Sequence, residues 1–489
     1  MFVTILKKEI LDGLFTARFV ITLILCLTLI PLGIYVNLRE YEFRETNHAE
    51  ALRLHREHVA SSVPGAEFEA EAFRRPAVLG LFSAGLEAAL PSRAVTSRDG
   101  IYRVSVDQGL SNPYGHIFGR LDLLSFVTIV LSLLAFVFTH GTVTGERERG
   151  TLRLLLTASA SRGEVFFGKL FGNYLLFVTP VLASLAIGFI IIGRSGAAAG
   201  LWGHFLPHVV LVVVFTLLFL FCMFCIGMFA STLTRRTGSA IVALIFVWTV
   251  LVLTVPRLAP MLAEALLPVR PRQLVDMDKT NARAALEREF SEKYEELYQA
   301  TVDSRGGSSG SLLVPVDPFM TPDQQEFLAE YRKRAAVMDS AYAARLADTL
   351  RVLEREDREA SRRQAELTTA LSRLSPVGSY AALIGAVTGT GIQEWDRLLE
   401  HARAYQRRVE ETFYSRWNVL HLGRGLTRTS PAGGTCPPDV DHGVLTAVVP
   451  DPPLSAALRH QWVDFGLLVV VTYLACMAGY VRFQHYDAR

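Results

Sequence analysis

The sequence predicts an all-α polytopic membrane protein with six transmembrane helices and two extracytoplasmic insertions, of which the larger one is mostly helical. Three observations support this fold class. Hydrophobic residues make up 51% of the 489 residues, and the mean hydropathy is +0.30. Several nearly uncharged runs reach the ~20 residues that a helix needs to cross a bilayer. The charged residues are concentrated between those runs, which is typical of loops outside the membrane.

The first segment, residues 1–18, has the periodicity of an amphipathic helix. Four apolar residues recur at four-residue spacing, namely Phe2, Leu6, Ile10 and Leu14. This spacing places them on one face of a helix. Such a helix can lie flat in the membrane interface. The alternative is that the segment is a basic flank to the first transmembrane helix.

Six apolar runs are the predicted transmembrane helices: 19–37, 121–139, 171–193, 205–230, 239–257 and 462–481. Three of them form the block 171–257. Arginine and lysine are concentrated in the loop 140–170 and in the turn 231–238, whereas the loop 194–204 has only Arg194. Short loops rich in these residues stay in the cytoplasm. Both termini, including the tail of the last segment 462–489, are therefore predicted to be cytoplasmic.

Two large insertions are predicted on the other side of the membrane. The first extracytoplasmic domain is 38–120, whose fold the sequence does not predict. The second is 258–461, in which apolar residues recur at helical spacing near 281–302 and 322–372. Because a Gly/Ser-rich connector separates these two segments, they are predicted to form a helical hairpin that stands off the membrane.

Two patterns of the sequence resemble enzyme motifs, and neither fits its context. The run from Gly163 to Lys169 has the spacing of a phosphate-binding loop. Leu170 stands where a Ser or Thr would hold magnesium, and no strand precedes the run. The run Gly306–Gly310 has the spacing of a nucleophile elbow, but it lies in the low-complexity connector. No catalytic residue is assigned.

The cysteines and histidines predict neither a disulfide framework nor a metal site. Cys222 and Cys225 lie inside an apolar run without a second pair. His48, His55 and His58 lie in a segment rich in Arg and Glu, which is typical of a solvated helix face. A further pair, Gly168 and Gly172, has the spacing that allows close helix packing.

The most informative stretch is 145–172, at the end of the loop 140–170. Gly150 and Thr151 can end one helix and cap another, and Ser161 is a candidate cap for a helix that continues into the third span. On the residues alone, two interpretations are open. The stretch is either a basic interfacial loop or a rigid cytoplasmic element that receives force from a soluble motor.

This stretch resembles the cytoplasmic loop of type-2 ABC transporter permeases. The matching residues are Glu146, Glu148, Gly150, Thr151, Leu152, Arg162, Gly168, Lys169 and Gly172. The run Ala158–Ala160 departs from the pattern, since the family often has a proline there. The segments 374–380 and 480–489 further resemble a subgroup with large extracytoplasmic insertions.

The resemblance implies that this loop couples the chain to a separate ATP-hydrolysing subunit. The implied coupling residues are Glu146, Glu148, Gly150, Thr151, Leu152, Arg162 and Lys169, with Arg235 and Arg236 in a second cytoplasmic turn. This chain would bind no cofactor and would not be an enzyme. ATP and Mg would be bound by the partner ATPase.

The expected function is therefore that of a permease subunit in the bacterial inner membrane, which couples ATP hydrolysis by its partner to export of an unidentified substrate. The expected partners are the ABC ATPase, a second identical or related permease and the lipid bilayer; a periplasmic partner is left open, and no nucleic acid is expected. The alternative is an ABC-type mechanotransmitter or membrane scaffold that drives an extracytoplasmic partner without transport. An integral membrane enzyme is disfavoured, because no paired carboxylates lie near a membrane face.

Overall fold

The computed structural model describes residues 2–61, 70–83, 85, 92–97, 100–105, 122–152, 161–195, 206–304, 322–391, 393–412, 419–422, 425–428, 447–449, 458–459 and 461–485. Several features of the sequence lie outside these ranges. They are the Leu run after Leu152, the run Ala158–Ala160, the Gly/Ser connector 305–311, Cys436 and the last four residues.

The described residues are mostly helical. In chain order the helices are α1 (Phe2–Leu14), α2 (Ala17–Ser61), α3 (Leu123–Arg149), α4 (Arg162–Gly193), α5 (Leu206–Leu233), α6 (Thr237–Leu266), α7 (Arg272–Asp303), α8 (Pro322–Ser372), α9 (Pro376–Thr388), α10 (Gln393–Thr412) and α11 (Trp462–Gln484). Six of these helices, α2 to α6 and α11, are long and apolar enough to cross a membrane. The predicted all-α polytopic fold with six spans is confirmed.

Two of the spans are locally widened into π-helix. The segment Phe126–Leu131 of α3 and the segment Thr249–Thr254 of α6 both have this geometry. The Trp248 Nε1 donates a hydrogen bond of 2.9 Å to the Ser132 Oγ, so the two irregular regions meet. Segments of π-helix inside α-helices are frequent at functional sites.

A short apolar helix from the second insertion packs inside the bundle. The helix α9 begins at Pro376, and its Tyr380 is fully buried. The Tyr380 ring stacks on Phe219 of α5 at 4.5 Å between centroids, and its hydroxyl is 2.9 Å from the Thr216 Oγ1. The sequence assigned the whole of 258–461 to the exterior. The structure instead places α9 among the membrane helices, as a segment too short to cross a bilayer.

The two insertions share one β-sheet. The strands are β1 (Ala70–Arg74), β2 (Arg93–Ser97), β3 (Gly100–Ser105), β4 (Val419–Leu422), β5 (Gly425–Arg428) and β6 (Ala447–Val449). The main sheet has the order β3-β2-β1-β6, with β6 parallel to β1. The buried residues Leu398, Ala402 and Tyr405 mark the inner side of α10, which packs on this sheet. The insertions that the sequence treated as separate domains are thus joined.

The predicted hairpin is present in the second insertion. Leu286, Phe290 and Tyr294 of α7 pack against Tyr331 and Leu346 of α8 in a separate apolar core. At 1.5 Å per residue, the 51 residues of α8 make a rod of ~75 Å.

The base of this hairpin is fastened to the bundle. The guanidinium of Arg373, directly after α8, donates two hydrogen bonds of 2.8 Å to the carboxylate of Asp464 in α11. The Asp464 side chain is 0% exposed. The Gln364 Nε2 also donates to the Leu267 carbonyl oxygen at 2.9 Å. A movement of the membrane helices would therefore move the hairpin.

Candidate functional site

One end of the bundle gathers the segments that the sequence predicts to be cytoplasmic. They are α1, the end of α3 with residues 140–152, the beginning of α4, the turn between α5 and α6, and the end of α11. We call this region the basic end. It contains every described residue of the implied coupling set.

A single buried lysine joins three helices at the basic end. The Lys169 Nζ of α4 donates hydrogen bonds of 2.6 Å to the Glu9 Oε1 of α1 and to the Glu146 Oε1 of α3. The Lys169 side chain is only 2% exposed. The Asn173 Nδ2 donates to the other Glu9 oxygen at 3.1 Å. We call Lys169, Glu9 and Glu146 the lysine clamp.

The charges of the lysine clamp do not balance, since one ammonium faces two carboxylates. The Glu146 Oε2 is buried and has no hydrogen-bond partner among the residues that the structure describes. Buried carboxylates are stable only when they are paired, because the surrounding protein solvates them poorly. The clamp therefore depends strongly on the positive charge of Lys169.

The helix α1 docks on the two glycines that the sequence singled out. A Cβ atom added to Gly172 would lie 2.8 Å from the Glu9 Cβ and 3.3 Å from the Leu6 carbonyl oxygen. At Gly168 the nearest atom would be the Ile5 Cγ2, at 2.9 Å. The predicted close packing at this pair is therefore packing against α1. The helix α1 therefore packs along α4, and its position in the membrane interface stays a prediction.

Replacing Gly172 with leucine is expected to release α1 from α4, because the new side chain cannot fit beside Glu9. Gly466→Leu is the matched control, since nothing lies within 4 Å of a Cβ atom at that helical glycine. Limited proteolysis in detergent should cleave near the N-terminus at least tenfold faster in Gly172→Leu than in the control. Equal cleavage rates would show that α1 does not depend on this contact.

Ser231 ties the end of α3 to the end of α5. Its Oγ accepts hydrogen bonds from the backbone N–H groups of Val143 (3.1 Å) and Thr144 (3.3 Å). The same hydroxyl donates to the His140 carbonyl oxygen at 3.0 Å. The side chain thus holds the turn before Thr144 in place.

Two charged residues extend this connection to α6. The Glu148 carboxylate accepts from both the backbone N–H and the hydroxyl of Thr237, so it caps the first turn of α6. The Arg147 Nη1 donates to the Thr234 carbonyl oxygen at 3.3 Å. The loop 140–170 and the turn 231–238, which the sequence predicts as separate cytoplasmic segments, are therefore in direct contact through these described residues.

The start of α4 is joined to the end of α11. Ser161 and Glu164 form a capping box, so the predicted cap of this helix is confirmed. Arg162 donates through its Nη1 to the Gln484 carbonyl oxygen. The Phe166 ring lies 5.7 Å from that of Phe483. A displacement of the basic end would therefore be transmitted to α11 as well as to α4.

The remaining motif residues, Gly150, Thr151 and Leu152, determine the backbone path between these contacts. Gly150 has a φ of 73°, a left-handed conformation that favours glycine, and it ends the helical segment as predicted. The Thr151 hydroxyl donates to the Glu146 carbonyl oxygen at 3.3 Å. Leu152 is buried in the main core. The motif therefore combines a helix end with an apolar contact to the bundle.

Exposure divides the implied coupling residues into three classes. Glu148, Gly150, Thr151, Arg235 and Arg236 are exposed, and Glu146 and Arg162 are half-buried. Lys169 and Leu152 are buried. The buried residues cannot touch a separate subunit, so they position the segment. The exposed residues form the surface that a partner could contact.

Sequence reasoning missed Glu9, Asn173 and Ser231. Glu9 could have been found, because helical spacing places it between Ile5 and Phe2, beside the apolar stripe of α1. An acidic residue in such a position needs a buried partner. Nothing in the sequence distinguishes Ser231 from the other hydroxyl residues of its turn.

The metal-binding residue types do not come together in the described part of the chain. No group of three His, Cys, Asp or Glu there could hold a metal ion. The His55 and His48 rings pack near Phe73, at 5.5 and 6.2 Å between centroids. Cys222 and Cys225 are buried in the bundle core.

Comparison with known proteins gives a family and two relatives. Residues 3–488 match a family described as ABC-2 family transporter protein. The probable ABC transporter permease protein NosY of Stutzerimonas stutzeri is 36% identical over 77 residues, which cover 15% of this chain and 28% of the relative. The protein of the same name from Pseudomonas aeruginosa is 28% identical over 178 residues, or 34% of this chain and 65% of the relative. The chain thus spans less than two thirds of each of these relatives.

Proposed function

The chain belongs to the ABC-2 family of transporter proteins, and from this premise we propose that it couples ATP hydrolysis by a separate ATPase subunit to export of a substrate. In this proposal the chain is the multi-pass membrane subunit, and the partner ATPase binds ATP and Mg. The observation that carries the proposal is the connected unit at the basic end. A force applied to residues 140–152 would reach α1, α4, α5, α6 and α11 through direct contacts.

The proposed docking surface consists of the exposed coupling residues, Glu148, Gly150, Thr151, Arg235 and Arg236. The lysine clamp lies directly behind this surface and holds α1 and α3 against α4. Because the clamp and the Ser231 contacts are short and largely buried, the unit would move as a rigid body. Its displacement would change the packing of the membrane helices and so open the bundle alternately to either side.

We also propose that the basic end faces the cytoplasm of a bacterial inner membrane and that two permease copies assemble with two ATPases. The positive-inside rule supports the orientation, since Arg147, Arg149, Arg162, Arg235 and Arg236 all lie at this end. The same orientation places the hairpin of α7 and α8 outside the cell membrane.

The orientation predicts the reactivity of two single cysteines in a background with Cys436 and Cys476 changed to serine. A cysteine at Val337, which is 71% exposed on α8, should react with an impermeant thiol reagent from the exterior. A cysteine at Arg235 should react only after the inner membrane is permeabilised. The reverse pattern would overturn the proposed orientation.

The transport function itself is tested in proteoliposomes that contain the permease and its ATPase. ATP-dependent flux of a candidate substrate that also raises ATP hydrolysis is the expected result. Coupled ATP hydrolysis without flux of any tested solute would favour the second candidate, a mechanotransmitter. One specific observation supports that candidate, namely the fastening of the long α7–α8 hairpin to α11 through Arg373 and Asp464.

A further inference from the structure

Two arginines near the junction of α1, α2 and α3 repel each other electrostatically, and neither has an acidic partner within the described ranges. The Arg18 Nη1, at the start of α2, donates to the carbonyl oxygens of Val137 (3.2 Å) and Phe138 (3.5 Å). Arg149 is exposed and near enough to Arg18 to repel it electrostatically. Within the described ranges, neither guanidinium forms an ion pair. This arrangement lacks a negative charge.

The nearest groups do not supply that charge. The carboxylate of Glu148, the sequence neighbour of Arg149, is hydrogen-bonded to Thr237. His140 lies beside Arg18, since both side chains contact the Val137 carbonyl oxygen, and it brings no negative charge. Guanidinium groups are well suited to bind a phosphate, because each offers several N–H donors in a planar fork.

The surroundings of Arg18 are apolar and exposed. Phe15, just before α2, is 91% exposed, and α2 continues with the exposed side chains Val20, Ile21 and Ile24. In a membrane protein, apolar side chains lie on the protein surface where lipid acyl chains, rather than water, surround them. Arg18 therefore lies at the level where the hydrocarbon region meets the headgroups.

From this geometry we infer that Arg18 and Arg149 bind the phosphate of an anionic phospholipid whose acyl chains lie along the exposed face of α2. The site is independent of the proposed transport function. An acidic segment of a protein partner is a weaker fit, because Phe15 and Ile21 would then be left against water. Lys7 and Lys8, on the exposed face of α1, add positive charge near the same junction.

The test measures lipid binding by thermal stabilisation of the purified chain in neutral detergent. Short-chain phosphatidylglycerol should raise the melting temperature, and phosphatidylcholine of the same chain length should not. In the double variant Arg18→Gln with Arg149→Gln, the phosphatidylglycerol concentration that gives half of the maximal rise in melting temperature should increase roughly thirtyfold. The increase is the product of two similar losses, because each basic side chain contributes similarly to binding at an anionic surface. Arg149→Gln alone should give about a fivefold rise. Among the described residues this exposed side chain makes no hydrogen bond or ion pair whose loss would unfold the protein.

The charge-matched control is Arg235→Gln with Arg236→Gln, which removes two exposed arginines from the same end of the bundle. It should leave the phosphatidylglycerol dependence unchanged, and an equal loss in this control would overturn the site in favour of general electrostatic attraction. Inorganic phosphate that stabilises as well as the lipid would show a free-anion site. Loss of ATPase binding with unchanged lipid dependence in Arg149→Gln would show a protein contact. Either outcome would overturn the inference.

Discussion

Replacing Lys169 with methionine is expected to lower the free energy of unfolding by about 3–5 kcal/mol, since removal of one partner from a buried ion pair leaves uncompensated charge. Here the loss leaves two carboxylates, Glu9 and Glu146, facing each other in a site that is largely closed to water. Thermal unfolding in detergent measures the effect. Coupled ATP hydrolysis should fall together with stability, because α1 and α3 lose their common contact.

Two further variants separate this effect from a general loss of charge. Adding Glu9→Gln and Glu146→Gln to Lys169→Met should restore most of the lost stability, because burying a neutral amide costs less free energy than burying an unpaired carboxylate. Lys279→Met removes a lysine from a more exposed ion pair with Glu354 and should change stability by less than about 1 kcal/mol. If Lys169→Met behaves like Lys279→Met, the lysine clamp does not hold the basic end together.

Replacing Arg373 with leucine is expected to have an effect of similar size at the opposite end of the bundle. The variant leaves the buried carboxylate of Asp464 without its two hydrogen bonds, a change that typically costs about 3–5 kcal/mol. Hydrogen exchange should become faster at the end of α8 and at the start of α11. The physical reason is that α8 loses its charged contact with the bundle.

The matched controls for this variant are Arg362→Leu and the double variant Arg373→Leu with Asp464→Leu. Arg362 lies on the exposed side of α8, and its one ion pair among the described residues is with Glu366, so its loss should have little effect. The double variant should recover stability because no buried charge remains. Unchanged exchange in Arg373→Leu would mean that the hairpin is not fastened through this ion pair.

The sequence predicted features that depend on local patterns. The six spans follow from long apolar runs, and the hairpin follows from apolar stripes such as Leu286, Phe290 and Tyr294. The helix end at Gly150 and the cap at Ser161 follow from local backbone chemistry. These features were predictable because neighbours along the chain determine them.

Features that depend on distant contacts were not predictable in the same way. The parallel pairing of β6 with β1 joins two insertions far apart in sequence, and both strands are very short. The helix α9 is apolar but shorter than a span, so its place in the bundle depends on Phe219 and Thr216. The pairing of Lys169 with Glu9 likewise depends on where α1 packs. Hydropathy and motif spacing carry no information about such partners.

Docking of the ATPase on the basic end is tested most directly by co-purification of the ATPase with a tagged permease in which Arg235 and Arg236 are both replaced by glutamate. Both side chains are exposed, so the fold should persist, and thermal unfolding in detergent verifies this. The control, Arg351→Glu with Arg355→Glu, makes the same charge change on helix α8 of the α7–α8 hairpin. Reversed charges at an interface cost several kcal/mol, so we expect at least a tenfold loss of bound ATPase and of coupled ATP hydrolysis in the first variant only. If the variant at Arg235 and Arg236 is folded and keeps both its ATPase and its coupled activity, the basic end is not the docking surface.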